Sequence, residues 1–231
     1  MPLLITDRLS DGVSEAPFDV ANLGDRVGDD PERVAKNRTM LAERLRPSGV
    51  RGLVWMQQVH GREVAYVDAE QASTTIIGVD ALVTTCAGLG LVVQVADCLP
   101  VILENTSGGV VAVVHAGREG CALDVVGQTV ERMRQVGDGS ISAHIGPHIC
   151  GRCYEVPQQM QDDVVALLPG SASRTRWASP GLDLAAGVIR RLSELAVVVT
   201  NDHRCTYEDT RLYSHRRDGR TGRFAAVAWL P

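Results

Sequence analysis

Apolar runs of strand length recur through the middle of the chain, separated by short polar and glycine-containing segments. Several of these runs are apolar at every position, which is typical of strands that are covered on both faces. The predicted strands are Leu53–Val59, Glu63–Val67, Ala81–Thr84, Leu89–Ala96, Val101–Leu103, Val110–His115, Ser140–Ile145 and Phe224–Leu230.

Helical periodicity is found near the start of the chain and again in its second half. The segment Pro31–Arg46 follows a capping aspartate and ends before a proline. Within it, Val34, Leu41 and Leu45 share one face. The other predicted helices are Glu119–Gln135, with Leu123 on its apolar face, Gln158–Leu168 and Leu184–Leu195.

This order of elements predicts an α+β protein in which mixed sheets are flanked by helices. No repeat or linker divides the 231 residues, so we expect residues 1–231 to form a single catalytic domain. No apolar run approaches the roughly 18 residues of a membrane span. The N-terminal residues also lack the basic and apolar regions of a signal peptide. A cytoplasmic location is therefore expected.

Composition narrows the expected partners. The formal net charge of −5 gives no field for attracting nucleic acid, so a small-molecule substrate is expected instead. Cytosolic thiols stay reduced, which favours metal binding or catalysis over disulfides for the cysteines. The chain has six of them, at positions 86, 98, 121, 150, 153 and 205.

Three apolar runs end in a residue that can bind a metal ion. These residues are His60, Cys98 and His115. Strand ends tend to meet at one rim of a sheet, where binding sites form. Two imidazoles and one thiolate suit zinc, and a three-ligand site leaves a position free for water or substrate. The same donor set suits copper in a trigonal site.

Short motifs that run in order over nearly the whole chain carry a resemblance to a known family. They are Asn22-Leu23-Gly24, Val27-Gly28-Asp29-Asp30, Asn37-Arg38, Gln58-Val59-His60-Gly61, Asp80-Ala81-Leu82-Val83-Thr84, Ala96-Asp97-Cys98-Leu99-Pro100-Val101, His115-Ala116-Gly117, Ile145-Gly146-Pro147, Cys153-Tyr154-Glu155-Val156 and Tyr213-Ser214-His215-Arg216-Arg217-Asp218-Gly219. The chain resembles the family variously called purine nucleoside phosphorylase, laccase-like multicopper polyphenol oxidoreductase and peptidoglycan editing factor.

The resemblance implies a single domain of layered mixed sheets flanked by helices, an αββα-like arrangement. It implies metal ligands at His60, Cys98 and His115. It also implies phosphorolysis of adenosine, inosine and S-methyl-5′-thioadenosine, together with deamination of adenosine. Nucleoside and phosphate are thus the expected partners. A bound zinc ion would lower the pKa of a water towards about 7 and so supply the hydroxide that deamination requires.

Five further residues complete the predicted substrate site. Arg8, Arg216 and Arg217 are candidates for phosphate binding, since guanidinium matches phosphate oxygens in a bidentate fork. Gln58 and Asp97 flank the predicted ligands and are expected to orient them or to contact substrate.

The chain departs from the family pattern in two places. After His-Ala-Gly it has Arg118-Glu119 in place of an aromatic and then a basic residue. Arg8 is followed by Leu-Ser-Asp-Gly where the family often has a Gly-Gly pair. Both departures affect substrate choice more than the predicted metal site.

Alternative functions use the same or neighbouring residues. Cys98 could act as the nucleophile of a hydrolase, with His115 or His60 as its base. A non-catalytic protein that binds a peptidoglycan precursor is another alternative. A copper polyphenol oxidase would need several coppers, and only one compact ligand set is evident.

A different zinc site could form at the Cys150-Gly151-Arg152-Cys153 spacing, with His144 or His148 nearby. The chain has no second Cys-x-x-Cys pair, however. No histidine is followed two residues later by the glutamate of nucleobase deaminases.

Overall fold

The structure is a computed structural model that describes residues 2–107 and 109–231. Its strands, β1 to β13 in chain order, are Leu3–Ile5, Gly52–Gln57, Val64–Tyr66, Thr75–Ile77, Ala81–Thr84, Leu89–Val95, Leu99–Asn105, Val111–Ala116, Ile141–Ile145, Ala172–Arg174, Pro180–Leu182, Val198–Asn201 and Phe224–Ala228. Its helices, α1 to α6, are Pro31–Leu45, Arg118–Ala122, Val125–Val136, Gln158–Leu167, Leu184–Glu194 and His215–Asp218.

Two mixed sheets form the centre of the molecule. One sheet has the order β1-β13-β6-β2-β4, and the other has the order β12-β9-β7-β8-β5-β3. In the first sheet β2 runs parallel to β6, with Gly52 opposite Leu89. In the second, β7 and β8 are antiparallel, with Val101 opposite Val114. The chain passes directly from β6 to β7, and so from one sheet to the other, through Ala96–Cys98.

The two sheets pack face to face, and helices cover their outer faces. Alternate residues of β8 show the layering, because Val113 packs in the cluster between the sheets while Val114 packs towards α3 and α5. On the other side, Trp55 of β2 packs with Leu41 of α1. Both faces of the central strands are therefore buried. The predicted layered α+β arrangement with flanking helices is confirmed.

Most of the predicted elements lie within a few residues of their predicted positions. Helix α1 begins at Pro31, and the side chain of Asp30 accepts a hydrogen bond from the Glu32 amide. Five short strands, namely β1, β4, β10, β11 and β12, were not predicted. Most of their residues are partly buried or exposed, as in the alternating pattern of β12, so these strands lack the continuous apolar run that marks a central strand.

The predicted helix Glu119–Gln135 is wrong, because the structure has two helices there. The break falls at Asp124, whose φ is 61°. Its carboxylate accepts hydrogen bonds from Arg191 at 3.0 and 2.7 Å, which favours the left-handed conformation that Asp can adopt. Leu123 consequently does not lie on a buried helix face and is 45% exposed.

None of the helices in the described residues is long and apolar enough to cross a membrane.

The segment that leads from β1 to α1 has little regular structure and is anchored by Asn37. The Val13 amide donates to Asn37 Oδ1 at 2.8 Å, and Asn37 Nδ2 donates to the Asn22 carbonyl at 2.8 Å and to Ser14 Oγ at 2.9 Å. The side chain of Asn37 is only 1% exposed. It therefore satisfies backbone groups that water cannot reach.

Replacing Asn37 with Ala should lower the free energy of unfolding by about 2–3 kcal/mol, because buried partners lose their hydrogen bonds. Chemical denaturation of purified protein measures this value. Lys36→Ala, one position away on the exposed side of α1, is the control and should change it by less than about 0.5 kcal/mol. Equal effects of the two substitutions would contradict the anchoring role of Asn37.

Candidate metal centre

The chain brings His60, Cys98 and His115 together at the edge where the two sheets meet. His60 follows β2, Cys98 lies on the connection between the sheets, and His115 lies near the end of β8. Their potential ligand atoms are all within 4.8 Å of one another. Cys98 Sγ is 3.9 Å from His60 Nε2, and the two imidazole rings meet edge to face at 4.7 Å between centroids.

Asp80, which precedes β5, organises this cluster although it is not itself in the metal-binding group. Its carboxylate accepts hydrogen bonds from the amides of Val59, His60 and Gly61 at 3.2, 3.0 and 2.7 Å. The same carboxylate lies 2.8 Å from His115 Nδ1. A buried carboxylate of this kind fixes the ring orientation and leaves Nε2 of His115 free for a ligand.

The bend that carries His60 is in the left-handed region, with φ at 61°. A non-glycine residue adopts this conformation only at some cost. The three consecutive amide bonds to Asp80 offset that cost, and they turn the chain away from β2 at Gln58. The predicted strand Leu53–Val59 therefore extends two residues beyond the observed end of β2 at Gln57.

Gly117 allows the three side chains to come close. A Cβ atom at this position would lie 2.7 Å from His60 Cδ2 and 3.3 Å from Cys98 Sγ. Any side chain would displace at least one of these groups. The absence of a side chain at Gly117 is therefore a steric requirement of the cluster.

The cluster favours a charged thiolate and a charged imidazole. Burial raises the pKa of Cys98, but the charge and hydrogen bonding of His115 and then His60 outweigh it and lower that pKa to about 6. Burial lowers the pKa of His115, but Cys98 and Asp80 outweigh it and raise that pKa to about 9. A metal cation would therefore meet a thiolate at neutral pH and would displace a proton from His115.

These residues fit a transition-metal ion. Two imidazoles and one thiolate are the donors that zinc or copper prefers. His115 is buried, Cys98 is half-buried and His60 is exposed, so one side of the cluster remains accessible. The cluster could bind a metal ion and still present it to a substrate.

A cavity of about 190 Å³ opens beside His60 and His115. Two arginines that were not predicted as site residues, Arg26 and Arg223, contribute to its wall. Burial lowers the pKa of Arg223, against the charges of Cys98 and Asp97, which act in the opposite direction. Arg223 thus places a cation next to the metal-binding cluster.

Gln58 and Asp97 lie beside the cluster as expected from their positions in the sequence. The Gln58 side chain spans to β6, where it donates to the Gln94 carbonyl at 2.8 Å and accepts from the Gln94 amide at 2.9 Å. Asp97 accepts from Thr206 Oγ1 and from the Arg216 amide, each at 2.6 Å. Their roles in substrate binding stay predictions.

The three predicted phosphate-binding arginines have different surroundings. Arg8 Nη2 is 3.3 Å from the Asp19 carboxylate, and Arg8 Nη1 is 3.7 Å from that of Asp218. The Arg216 guanidinium is exposed and lies over the Tyr154 ring at 5.2 Å. Of the three arginines, only Arg216 is exposed, whereas Arg8 and Arg217 are partly buried.

The Arg217 guanidinium is engaged within its own loop. It donates to the carbonyls of Thr206 and Leu212, each at 2.7 Å, and pairs with Asp218 at 2.7 Å. Contact between Arg217 and phosphate would require some of these bonds to break. Its substrate role stays a prediction.

The Arg118-Glu119 departure from the family pattern forms an internal pair. Arg118 Nη2 donates to Glu119 Oε1 at 2.8 Å, so the acid and the base largely compensate each other.

Burial raises the pKa of Tyr154, while the charge of Arg118 lowers it and the charge of Cys98 raises it further. Tyr154 is therefore close enough to feel the charges of both Arg118 and Cys98. Its signal in the sequence was the Cys-Tyr-Glu-Val motif, which gave no role to the tyrosine.

A second group of potential ligands lies nearby. Cys150, Cys153, Cys205 and Glu208 have their ligand atoms within 4.8 Å of one another. The predicted alternative site paired Cys150 and Cys153 with His144 or His148, and neither histidine belongs to this group. His144 Nδ1 lies 3.0 Å from Thr200 Oγ1, and His148 Nδ1 lies 2.8 Å from the Gly146 carbonyl.

The sequence matches the family described as multi-copper polyphenol oxidoreductase laccase over residues 3–231. The chain belongs to this family. A purine nucleoside phosphorylase of Corynebacterium glutamicum is 46% identical over 226 residues, which cover 95% of this chain and 91% of that protein. A protein of the same name from Mycobacterium tuberculosis is 46% identical over 229 residues, covering 98% and 91%.

The fold is shared with solved structures. A protein from Neisseria meningitidis superposes with a TM-score of 0.86 and 32% sequence identity, covering 99% of this chain and 93% of that one. The description of the family names a copper-dependent oxidoreductase of polyphenols, whereas the names of the relatives indicate nucleoside phosphorolysis. Within residues 2–107 and 109–231, two groups could hold a metal ion. They are the His60 cluster, formed by His60, Cys98 and His115, and the Cys150 group, formed by Cys150, Cys153, Cys205 and Glu208.

Asp80→Asn should weaken metal binding by about 10- to 100-fold, because the amide cannot fix His115 and the bend at His60 in the same way. Competition with a chromophoric chelator measures the affinity. Asp163→Asn, on the exposed face of α4, is the control and should leave it unchanged. An Asp80 variant that binds metal as tightly as the parent would refute the role of this carboxylate.

Proposed function

We propose that the protein is a zinc-dependent purine nucleoside phosphorylase with His60, Cys98 and His115 as its catalytic centre. The observation that carries the proposal is the convergence of these side chains beside a cavity that also contains two arginines. Relatives named purine nucleoside phosphorylase, similar over nearly the whole chain, support this reaction class. On this proposal, residues 1–231 act as one catalytic domain.

His60, Cys98 and His115 would hold the metal ion, and Asp80 would keep the His115 ring in place. A bound zinc ion supplies Lewis-acid chemistry, which polarises an oxygen atom or lowers the pKa of a water to about 7. Copper is the alternative, since the same donors suit it in a trigonal site. Adenosine, inosine and S-methyl-5′-thioadenosine are the proposed nucleoside substrates, with deamination of adenosine as a second activity.

Phosphorolysis joins a phosphate oxygen to C1′ of the sugar while the bond from C1′ to the base breaks. The phosphate needs cationic partners in a place where the nucleoside can also reach. Arg26 and Arg223 meet this need, because both line the cavity next to His60 and His115. Guanidinium groups bind phosphate oxygens through charge-assisted hydrogen bonds. The cavity holds about 190 Å³, less than the roughly 300 Å³ of a drug-sized site, so part of the nucleoside would lie at its open mouth.

A cysteine hydrolase is the second candidate, and one observation favours it. The pKa of Cys98 is lowered to about 6 by His115 and His60, which is the pairing that activates a nucleophilic thiol. In that reaction Cys98 Sγ would attack an acyl carbon, and a neighbouring imidazolium would donate its proton to the leaving group. Inhibition by iodoacetamide without inhibition by a chelator would favour this candidate.

Purified protein of measured metal content should release free base from adenosine, inosine and methylthioadenosine only when phosphate is present. Chromatography of base and sugar phosphate measures the reaction. Conversion of adenosine to inosine without phosphate would show the deaminase activity. Cys98→Ala should lose the zinc ion bound by His60, Cys98 and His115 and should lose turnover, whereas Cys86→Ala, outside both groups of potential ligands, should keep them. Full turnover by Cys98→Ala protein that has lost this zinc ion would rule out the proposed mechanism.

Arg223→Met should raise the KM for phosphate by about 10-fold or more and leave the KM for nucleoside nearly unchanged. The reason is the loss of a charge-assisted hydrogen bond worth about 1.5–3 kcal/mol, where 1.4 kcal/mol corresponds to about tenfold. Arg190→Met, on the exposed side of α5, is the matched control. Equal changes in both KM values would indicate a general disturbance of the site instead of phosphate binding.

A further inference from the structure

The Cys150 group consists of four potential ligands on two segments that are far apart in sequence. Cys150 and Cys153 lie on a tight turn, in which the amides of Cys153 and Tyr154 both donate to the Cys150 carbonyl, at 2.9 and 3.0 Å. Cys205 and Glu208 lie on a second turn, in which the Glu208 amide donates to the Cys205 carbonyl at 3.1 Å. Each turn directs its ligands towards the other.

The backbone holds the two turns together independently of the sulfur atoms. The His148 amide donates to the Arg204 carbonyl at 3.2 Å, and the Thr206 amide donates to the His148 carbonyl at 3.0 Å. The Cys150 amide also donates to Cys205 Sγ at 3.4 Å, a contact that stabilises a thiolate. The group is thus prearranged by the fold.

The spacing of the ligand atoms suits a tetrahedral ion. Zinc–sulfur bonds of about 2.3 Å place two sulfur ligands of a tetrahedron about 3.8 Å apart. All four ligand atoms of the group lie within 4.8 Å of one another. Closing onto an ion would therefore require movements of about 1 Å or less at each side chain.

The charge and the surroundings also suit a metal ion. Three thiolates and one carboxylate around a divalent cation leave an excess of negative charge. Arg176 lies against this group, in contact with both Cys153 Sγ and Glu208 Oε1, and would offset part of the excess. Cys153 and Cys205 are buried, and Tyr207 packs beside them, which excludes water from the sulfur atoms.

We propose that Cys150, Cys153, Cys205 and Glu208 form a second metal site, a structural one for zinc or a similar thiophilic ion. Four protein ligands leave no open position, which is the arrangement of structural zinc. The site is separate from the His60 cluster, and the inference does not depend on the proposed phosphorolysis.

Both turns of this second site are connected to Asp97, the neighbour of Cys98. The Ile149 amide, next to Cys150, donates to the Asp97 carbonyl at 3.0 Å. Thr206 Oγ1, next to Cys205, donates to the Asp97 carboxylate at 2.6 Å. Asp97 has a φ of 95°, which an L residue adopts only when its surroundings hold it there. A metal ion that joins the two turns would keep Asp97, and with it Cys98, in position.

The first test is the zinc content and zinc coordination of the full chain, purified under reducing conditions and saturated with zinc. We expect about two zinc ions per chain and, by X-ray absorption, an average of about two sulfur ligands per zinc, because one site has one sulfur and the other has three. About one zinc with one sulfur would overturn the proposal. So would a disulfide among Cys150, Cys153 and Cys205, detected by mass spectrometry without reduction.

Variants separate the two sites. Cys98→Ser should retain about one zinc with three sulfur ligands, and Cys205→Ser should retain about one zinc with a single sulfur ligand. Cys86→Ser, outside both groups, is the matched control and should keep both ions. Loss of all zinc in Cys98→Ser protein would overturn the proposal. The X-ray absorption measurement on the parent chain still tests it if Cys205→Ser fails to fold.

Discussion

The carboxylate of Asp80 is the interaction on which the candidate metal centre depends. It is fully buried, and burial alone would raise its pKa; the bond and charge of His115 and the amides of Gly61 and Val59 outweigh burial and lower that pKa. A buried charge is costly unless hydrogen bonds satisfy it. Those bonds come from the His60 bend and from the His115 ring. The contacts that stabilise the Asp80 carboxylate are therefore the same contacts that position His60 and His115.

The packing of the two sheets leaves one side of the candidate metal centre accessible. The chain crosses from one sheet to the other through Ala96–Cys98, and the strands on both sides of this crossing are buried. Rigid elements hold ligands more precisely than free loops. The N-terminal segment, secured by Asn37, then brings Arg26 to the open side. The core fixes the ligands, and the less regular segments supply the cationic groups.

Asp97 connects the two cysteine-containing groups. It adjoins Cys98 in the sequence, and hydrogen bonds from the two turns of the Cys150 group hold it in a backbone conformation of positive φ. On the proposed second metal site, Cys150, Cys153 and Cys205 would have a function in the same part of the molecule. This arrangement also explains how a structural ion could act on the candidate catalytic centre without contacting substrate.

The sequence by itself determined the central strands and helix α1, because long apolar runs and a helix cap are local signals. Strand-end residues and the family motifs also made His60, Cys98 and His115 candidate ligands, and the structure places these three together. The sequence did not reveal the break at Asp124, which depends on Arg191 far along the chain. Tertiary structure alone showed that Asp80 contacts both His115 and the His60 bend, that Arg223 lines the cavity, and that Cys205 and Glu208 lie beside the Cys-x-x-Cys pair. Such groups act through partners distant in sequence, and no local pattern of residues records which distant segments come into contact.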